Sequence, residues 1–195
     1  MKVDTHEIAR AVLTEVKKLP SNNKGFTLIA IDGRCGSGKT TLAACLQEIC
    51  NCSLIHMDHF FPRLVQRTPE RLNTPGGNID IERFLEEVIP PLMNREAFSY
   101  CPYDPRKHEM GNPIKIEPSD LVIFEGSYSC HPKLFAYYDL KIFLTTSEEE
   151  RLRRIKLRNG EAGLVQFIEK WIPMEENYFS AYNLEERCDL RFVMG

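Results

Sequence analysis

The sequence has no apolar run of membrane-spanning length; its longest, such as Phe26–Ile31 and Leu121–Phe124, fall far short of about 20 residues. Its first residues, MKVDTHEIARAV, carry acids and lack the apolar core of a secretory signal. It has no paired CxxC frame: the seven cysteines, at 35, 45, 50, 52, 101, 130 and 188, are odd in number, and Cys50 and Cys52 stand too close to bridge easily. That usage fits a reduced, cytoplasmic compartment rather than a disulfide scaffold. Nor is there a surplus of positive charge. With 25 Lys+Arg against 28 Asp+Glu the net charge is −3, so nothing draws the chain broadly to nucleic acid or to an anionic membrane. No repeat, low-complexity tract or linker interrupts residues 1–195, which read as one domain with ordinary Gly (11) and Pro (12) usage.

Apolar periodicity then supplies the architecture. Asp4-x-x-Glu7 reads as a capping box for a helix carrying Ile8, Val12, Leu13, Val16 and Leu19, stopped by Pro20. Residues 26–31 form a continuous apolar strand of the kind buried on both faces of a parallel sheet. Further strands are expected at 52–57, 121–124, 140–144 and 190–194, with helices at 39–50, at 81–93 as far as Pro90-Pro91, after Ser147, and over 162–182. The polar, aromatic stretch 98–116 reads as a hairpin or loop excursion. Strands alternating with helices predict an α/β fold with a mainly parallel sheet.

The strongest signal is Gly33-Arg34-Cys35-Gly36-Ser37-Gly38-Lys39-Thr40, which fits GxxxxGK[ST] at every fixed position. Glycines let the backbone curl so that successive N–H groups point inward at phosphate oxygens, and the following helix aims its positive end at the same anion. Lys39 adds a full charge toward the β/γ-phosphates, and the Thr40 hydroxyl is placed for Mg²⁺. A chance match in a chain of this length is on the order of 1%. The motif also follows a strand and opens a helix, the context that phosphate binding requires.

Ligands of open parallel sheets bind beyond the carboxyl ends of the strands. Two expected strands end there in acids, Asp58 and Glu125. One acid can meet Mg²⁺ or its water shell, and the other can accept a proton from an attacking hydroxyl. Asp58 reads also as an N-cap, and Glu125 as a solvated strand end. His56-Met-Asp-His59 has no further His/Cys cluster to make it a metal site. Residues 151–158, RLRRIKLR, place Arg151, Arg154 and Arg158 on one helical face. The readings are a solvated face, a nucleic-acid patch disfavoured by the acidic total, or a lid over the triphosphate that brings arginines to developing charge. The last is preferred because the helix starts on the ligand edge of the sheet.

With these parts in place, the chain resembles the uridine kinase family of P-loop small-molecule kinases. IDGRCGSGKTTLA, IHMDHFF, YDPRKHEM, DLVIFEGSY and the arginine-rich helix occur in that family's order over most of residues 26–195. The resemblance implies a P-loop NTPase three-layer sandwich, with a five-stranded parallel sheet and a helical lid at about 147–163. It implies transfer of the γ-phosphoryl of ATP or GTP to the 5′-hydroxyl of uridine or cytidine. By position, Gly33 to Thr41 would hold the phosphates and magnesium, with Thr41 closing the segment. Lys39, Arg154 and Arg158 would serve catalysis, Asp58 would be the base and metal neighbour, and Glu125 the acid of the Glu-Gly motif. Asp80 would bind ribose hydroxyls and Tyr103 and His108 the base, although Asp80 reads equally as the N-cap of the 81–93 helix.

Departures from the family pattern concern the acceptor. Asn159-Gly160-Glu161 is shorter than the usual lid, and TLAACLQEICNCSLIHMDHFF with Trp171-Ile-Pro-Met is similar to nicotinamide riboside kinases as well. The expected partners are a nucleotide triphosphate and a small-molecule acceptor, without nucleic acid or membrane; self-association is left open. A nucleotide switch is the competing class. The guanine-reading Asn-Lys-x-Asp is missing, because Asn23-Lys24 continues as Gly25-Phe26.

Overall fold

The computed structural model of the chain describes residues 4–20 and 22–195. Helix α1 (Thr5–Lys18) leads into β1 (Thr27–Gly33), α2 (Lys39–Ile49) and β2 (Ser53–His56). Then come α3 (Pro69–Asn73), α4 (Ile81–Glu87), α5 (Ile89–Met93) and the short strands β3 (Phe98–Tyr100), β4 (Tyr103–Asp104), β5 (Glu109–Met110) and β6 (Ile114–Ile116). The order closes with β7 (Leu121–Glu125), β8 (Leu140–Thr146), α6 (Glu148–Gln166), α7 (Ile172–Tyr182), α8 (Leu184–Arg187) and β9 (Leu190–Met194).

Five strands form one sheet in the order β2-β7-β1-β8-β9, and every neighbouring pair is parallel. The alternation of side chains along β1 explains why Leu28–Ile31 is apolar at every position. Leu28 and Ala30 face a cluster with Phe60, Phe84, Phe124 and Tyr178. Ile29 and Ile31 face the opposite cluster, with Ile8 and Val12 of α1 and Leu42 and Leu46 of α2. Helices thus cover both faces, giving three layers. Phe124 is fully buried between Phe84 and Tyr138, meeting both rings edge to face. Burying a side chain of this size is worth about 1.5–3 kcal/mol.

Several local expectations are refined. The cap of α1 is the Asp4 carboxylate, which accepts from the His6 N–H at 3.4 Å. The 81–93 helix breaks at Val88 rather than at Pro90-Pro91, because those prolines fall in the first turn of α5, where a missing N–H costs nothing. Residues 98–116 form nested antiparallel ladders, β3 with β6 and β4 with β5. α6 is two helical segments that meet at a kink, the basic one before Gly160 and a second one that continues through a π-helical turn at Phe167–Trp171 into α7. The division expected between the basic helix and the 162–182 helix is at Gly160, whose φ of 71° and ψ of −179° are not helical. Among the described residues no helix is long and apolar enough to cross a membrane.

Candidate active site

The loop between β1 and α2 starts at Gly33, and its backbone there is one only glycine adopts comfortably. Its φ is +134°, and a Cβ would lie 1.9 Å from the Leu144 carbonyl oxygen of β8. The loop therefore packs directly onto the neighbouring strand. Gly38, with φ +100°, turns the chain into the first turn of α2. Lys39 is 8% exposed, and its Nζ donates to the Gly33 carbonyl at 2.6 Å and the Arg34 carbonyl at 3.0 Å. The ammonium is thereby held across the mouth of the loop. Thr40 and Thr41 are exposed on the first turn of α2, and the Ser37 hydroxyl is buried without a partner.

Parallel register brings the end of β7 beside this loop. Ile31 of β1 pairs with Glu125, and His56 of β2 pairs with it from the other side. Glu125 is 3% exposed, so the solvated strand end is excluded. The Thr40 hydroxyl lies 3.4 and 3.3 Å from its two carboxylate oxygens, and His56 Nδ1 lies 2.5 Å from Oε1. That hydrogen bond holds the His56 imidazole above its ordinary pKa, against an opposing push from burial.

Asp58 sits in the short 3-10 turn that follows β2, within reach of Gly126, the residue after Glu125. A Cβ at Gly126 would lie 3.4 Å from Asp58 Oδ1, so this glycine admits the carboxylate beside the phosphate loop. Crowding by protein raises the Asp58 carboxyl, and the negative charges of Glu125 and Glu175 add to it, whereas Lys39 and Arg158 pull it down. Its side chain still reaches water, which tempers the upward push.

The basic helix does not present one uniform face. Arg151 is buried and donates to Glu176 at 2.9 Å. Arg154 donates from Nη1 to the Gly36 carbonyl of the phosphate loop at 3.1 Å, and its Nε is held by Glu150 at 2.7 Å. Arg158 is exposed, donates to Asn159 Oδ1 at 2.9 Å and stacks over Phe167. Of the two arginines expected at the triphosphate, Arg154 touches the loop and Arg158 does not.

The candidates for acceptor recognition form a separate group. Asp80 caps α4 by accepting from the Arg83 N–H at 3.3 Å, so the capping reading holds. Its second oxygen, Oδ2, is buried without a hydrogen bond, 3.7 Å from Arg63 Nε and 3.8 Å from Arg83 Nε. Tyr103 and His108 meet across the β4–β5 hairpin at 3.4 Å. Arg83 connects this hairpin to the Asp58 turn by donating to the carbonyls of Cys101 at 2.9 Å and His59 at 2.7 Å.

Two further acids were not legible as site residues. Asp32 is fully buried and accepts from the Gly33 N–H at 2.7 Å, the Cys130 N–H at 2.8 Å and the Tyr178 hydroxyl at 3.0 Å. Burial raises its pKa to about 6 against the pull of Lys39 and these donors. Glu175 of α7 is 5% exposed and accepts from the Cys35 N–H at 3.0 Å and from the Ser127 hydroxyl at 2.5 Å. Only the apolar strand before Asp32 hinted at its burial; nothing local marked Glu175. Cys35 itself is buried, and burial followed by Glu175 pushes its thiol far up, which makes it a poor nucleophile. All seven cysteines are free thiols.

The Thr40 hydroxyl and Glu125 carboxylate are hard oxygen donors of the kind that Mg²⁺ accepts together with phosphate oxygens and water. They would hold that ion at the phosphate loop.

The chain is similar to proteins named as kinases. A uridine kinase of Staphylococcus haemolyticus is 29% identical over 168 residues, 78% of this chain and 81% of the relative. A uridine kinase of Latilactobacillus sakei is 28% identical over 151 residues, 74% of this chain and 72% of the relative. In structure, a possible uridine kinase from Bacillus stearothermophilus superposes with a TM-score of 0.73 at 17% identity, covering 97% of this chain and all of that one. The D-glycerate 3-kinase of Cryptococcus neoformans superposes with a TM-score of 0.63 at 15% identity over 97% of this chain and 94% of its own. These two likenesses establish the P-loop kinase fold. The chain is similar to P-loop kinases of the uridine kinase type, and the family model described as AAA domain matches residues 29–176, so the chain belongs to the AAA domain family.

Proposed function

We propose that the chain transfers the γ-phosphoryl group of ATP or GTP to a hydroxyl of a nucleoside-like small molecule, with the 5′-hydroxyl of uridine or cytidine as the leading acceptor. The observation that carries this reading is the convergence of Thr40, Glu125 and Asp58 at the phosphate loop, with Thr40 bonded to Glu125 and Asp58 seated against Gly126. A phosphoryl-transfer site needs little covalent chemistry from the protein; it needs positioned charge and a group that accepts the proton of the attacking hydroxyl.

In this reading the N–H groups of the Gly33–Thr41 loop and Lys39 hold the polyphosphate. Bound Mg²⁺ would neutralise charge on the β- and γ-oxygens, held by Thr40 and Glu125. Asp58 accepts the hydroxyl proton, for which a carboxyl raised from its ordinary pKa is better matched than a free one. Arg154, bonded to the Gly36 carbonyl, supplies positive charge from α6, which acts as the lid with Arg158 at its far end. Asp80, Tyr103 and His108 recognise the acceptor. The names of the relatives support uridine, and the acceptor of this chain is settled by assay. Incubation with ATP or GTP and a panel of uridine, cytidine, nicotinamide riboside and pantothenate should yield a phosphorylated pyrimidine nucleoside. Nucleotide consumption that no acceptor accelerates would contradict the reading.

A further inference from the structure

Helix α7 grips the phosphate loop with two consecutive acids that behave differently. Glu176 takes the Arg34 guanidinium through Nε at 2.9 Å and Nη2 at 3.1 Å, and Arg151 at 2.9 Å. This is an ordinary ion-pair anchor. Glu175, one residue earlier and about 100° around the helix, takes no basic partner among the described residues; its two donors are the neutral Cys35 N–H and Ser127 O–H. A carboxylate buried without a cation is costly, so its place needs a reason.

Its position supplies one. The N–H groups of the loop form the surface that receives phosphate oxygens, and a carboxylate oxygen has the same charge sign and acceptor geometry. Cys35 directly follows Gly33 and Arg34, whose carbonyls hold the Lys39 ammonium, the group that reaches the β/γ end of a triphosphate. Glu175 is also close enough to Asp58 to add to the upward push on its carboxyl. The acid therefore stands at the transfer end of the site.

We propose that Glu175 is an internal competitor for the terminal phosphoryl group, occupying the Cys35 N–H until a nucleoside triphosphate displaces it. This rests on the phosphate-loop reading above. α7 would then report nucleotide occupancy: release of Glu175 frees Ser127 in the loop that follows Glu125 and loosens one of the two acidic holds on the loop, while Glu176 keeps the other. A diphosphate lacks the terminal group and does not compete for the same N–H.

The test is calorimetric binding of a nonhydrolysable ATP analogue and of ADP to the full chain and to Glu175→Gln, without any acceptor. The amide keeps an acceptor for Cys35 and removes the charge. The variant should bind the triphosphate analogue about fivefold or more tightly, with ADP affinity changed less than about twofold. Ser127→Ala, which removes the other donor holding the carboxylate, should shift triphosphate affinity in the same direction, and it carries the test if Glu175→Gln lacks a cooperative melting transition. Unchanged or weaker triphosphate binding, or an equal gain for ADP, would overturn the proposal while leaving the kinase reading in place. Failure of the unaltered chain to bind either nucleotide would overturn both.

Discussion

The Thr40 hydroxyl lies 3.3 Å from Glu125 Oε2, joining the first turn of the helix after the phosphate loop to the carboxyl end of the adjacent strand. The two residues are 85 positions apart, and parallel pairing of β1 with β7 brings them together. Glu125→Gln keeps the size and one acceptor oxygen but removes the charge. Phosphoryl transfer should fall by about 10² or more and need a higher Mg²⁺ concentration for half-maximal rate, as a magnesium titration would show.

Gly33→Ala tests whether the loop is seated on β8 as described. The new methyl would meet the Leu144 carbonyl oxygen at 1.9 Å in a backbone that side chains rarely adopt. The variant should lose more than about 2 kcal/mol, read as a lower melting temperature or denaturation midpoint.

Asp32 gives the chain a distinctive pH dependence. Its folded pKa of about 6 lies above the 3.8 of an unperturbed aspartate, so between these values the folded state binds more protons than the unfolded one. Its contribution to stability is therefore most favourable below about pH 4 and declines as pH rises through about 6. The stability of the unaltered chain minus that of Asp32→Asn should fall across this window by up to about 3 kcal/mol, measured by denaturant titration at successive pH values. A difference that rises with pH would contradict it.

The sheet and the phosphate loop were legible because both rest on local physics. A run such as Leu28–Ile31 needs apolar residues at every position when helices cover both faces, and the glycines of the loop answer to backbone geometry. Asp58 and Glu125 were legible through a rule about strand ends rather than through their neighbours. What lay beyond reach depended on long-range contact. Glu175 meets Cys35 across 140 positions, and Asp32 meets Cys130 and Tyr178 across 98 and 146. Periodicity says nothing about such partners. The dual role of Asp80 shows the other limit: one oxygen caps α4 as a local rule requires, and the second is oriented by Arg63 and Arg83 from the fold.

The most direct test of the account is Asp58→Asn, assayed for phosphoryl transfer to the acceptor found in the nucleoside panel and, separately, for binding of a nonhydrolysable ATP analogue. Transfer should drop by about 10²–10⁴, the usual contribution of a positioned base, with nucleotide affinity changed less than about threefold. Transfer at the unaltered rate would contradict the account.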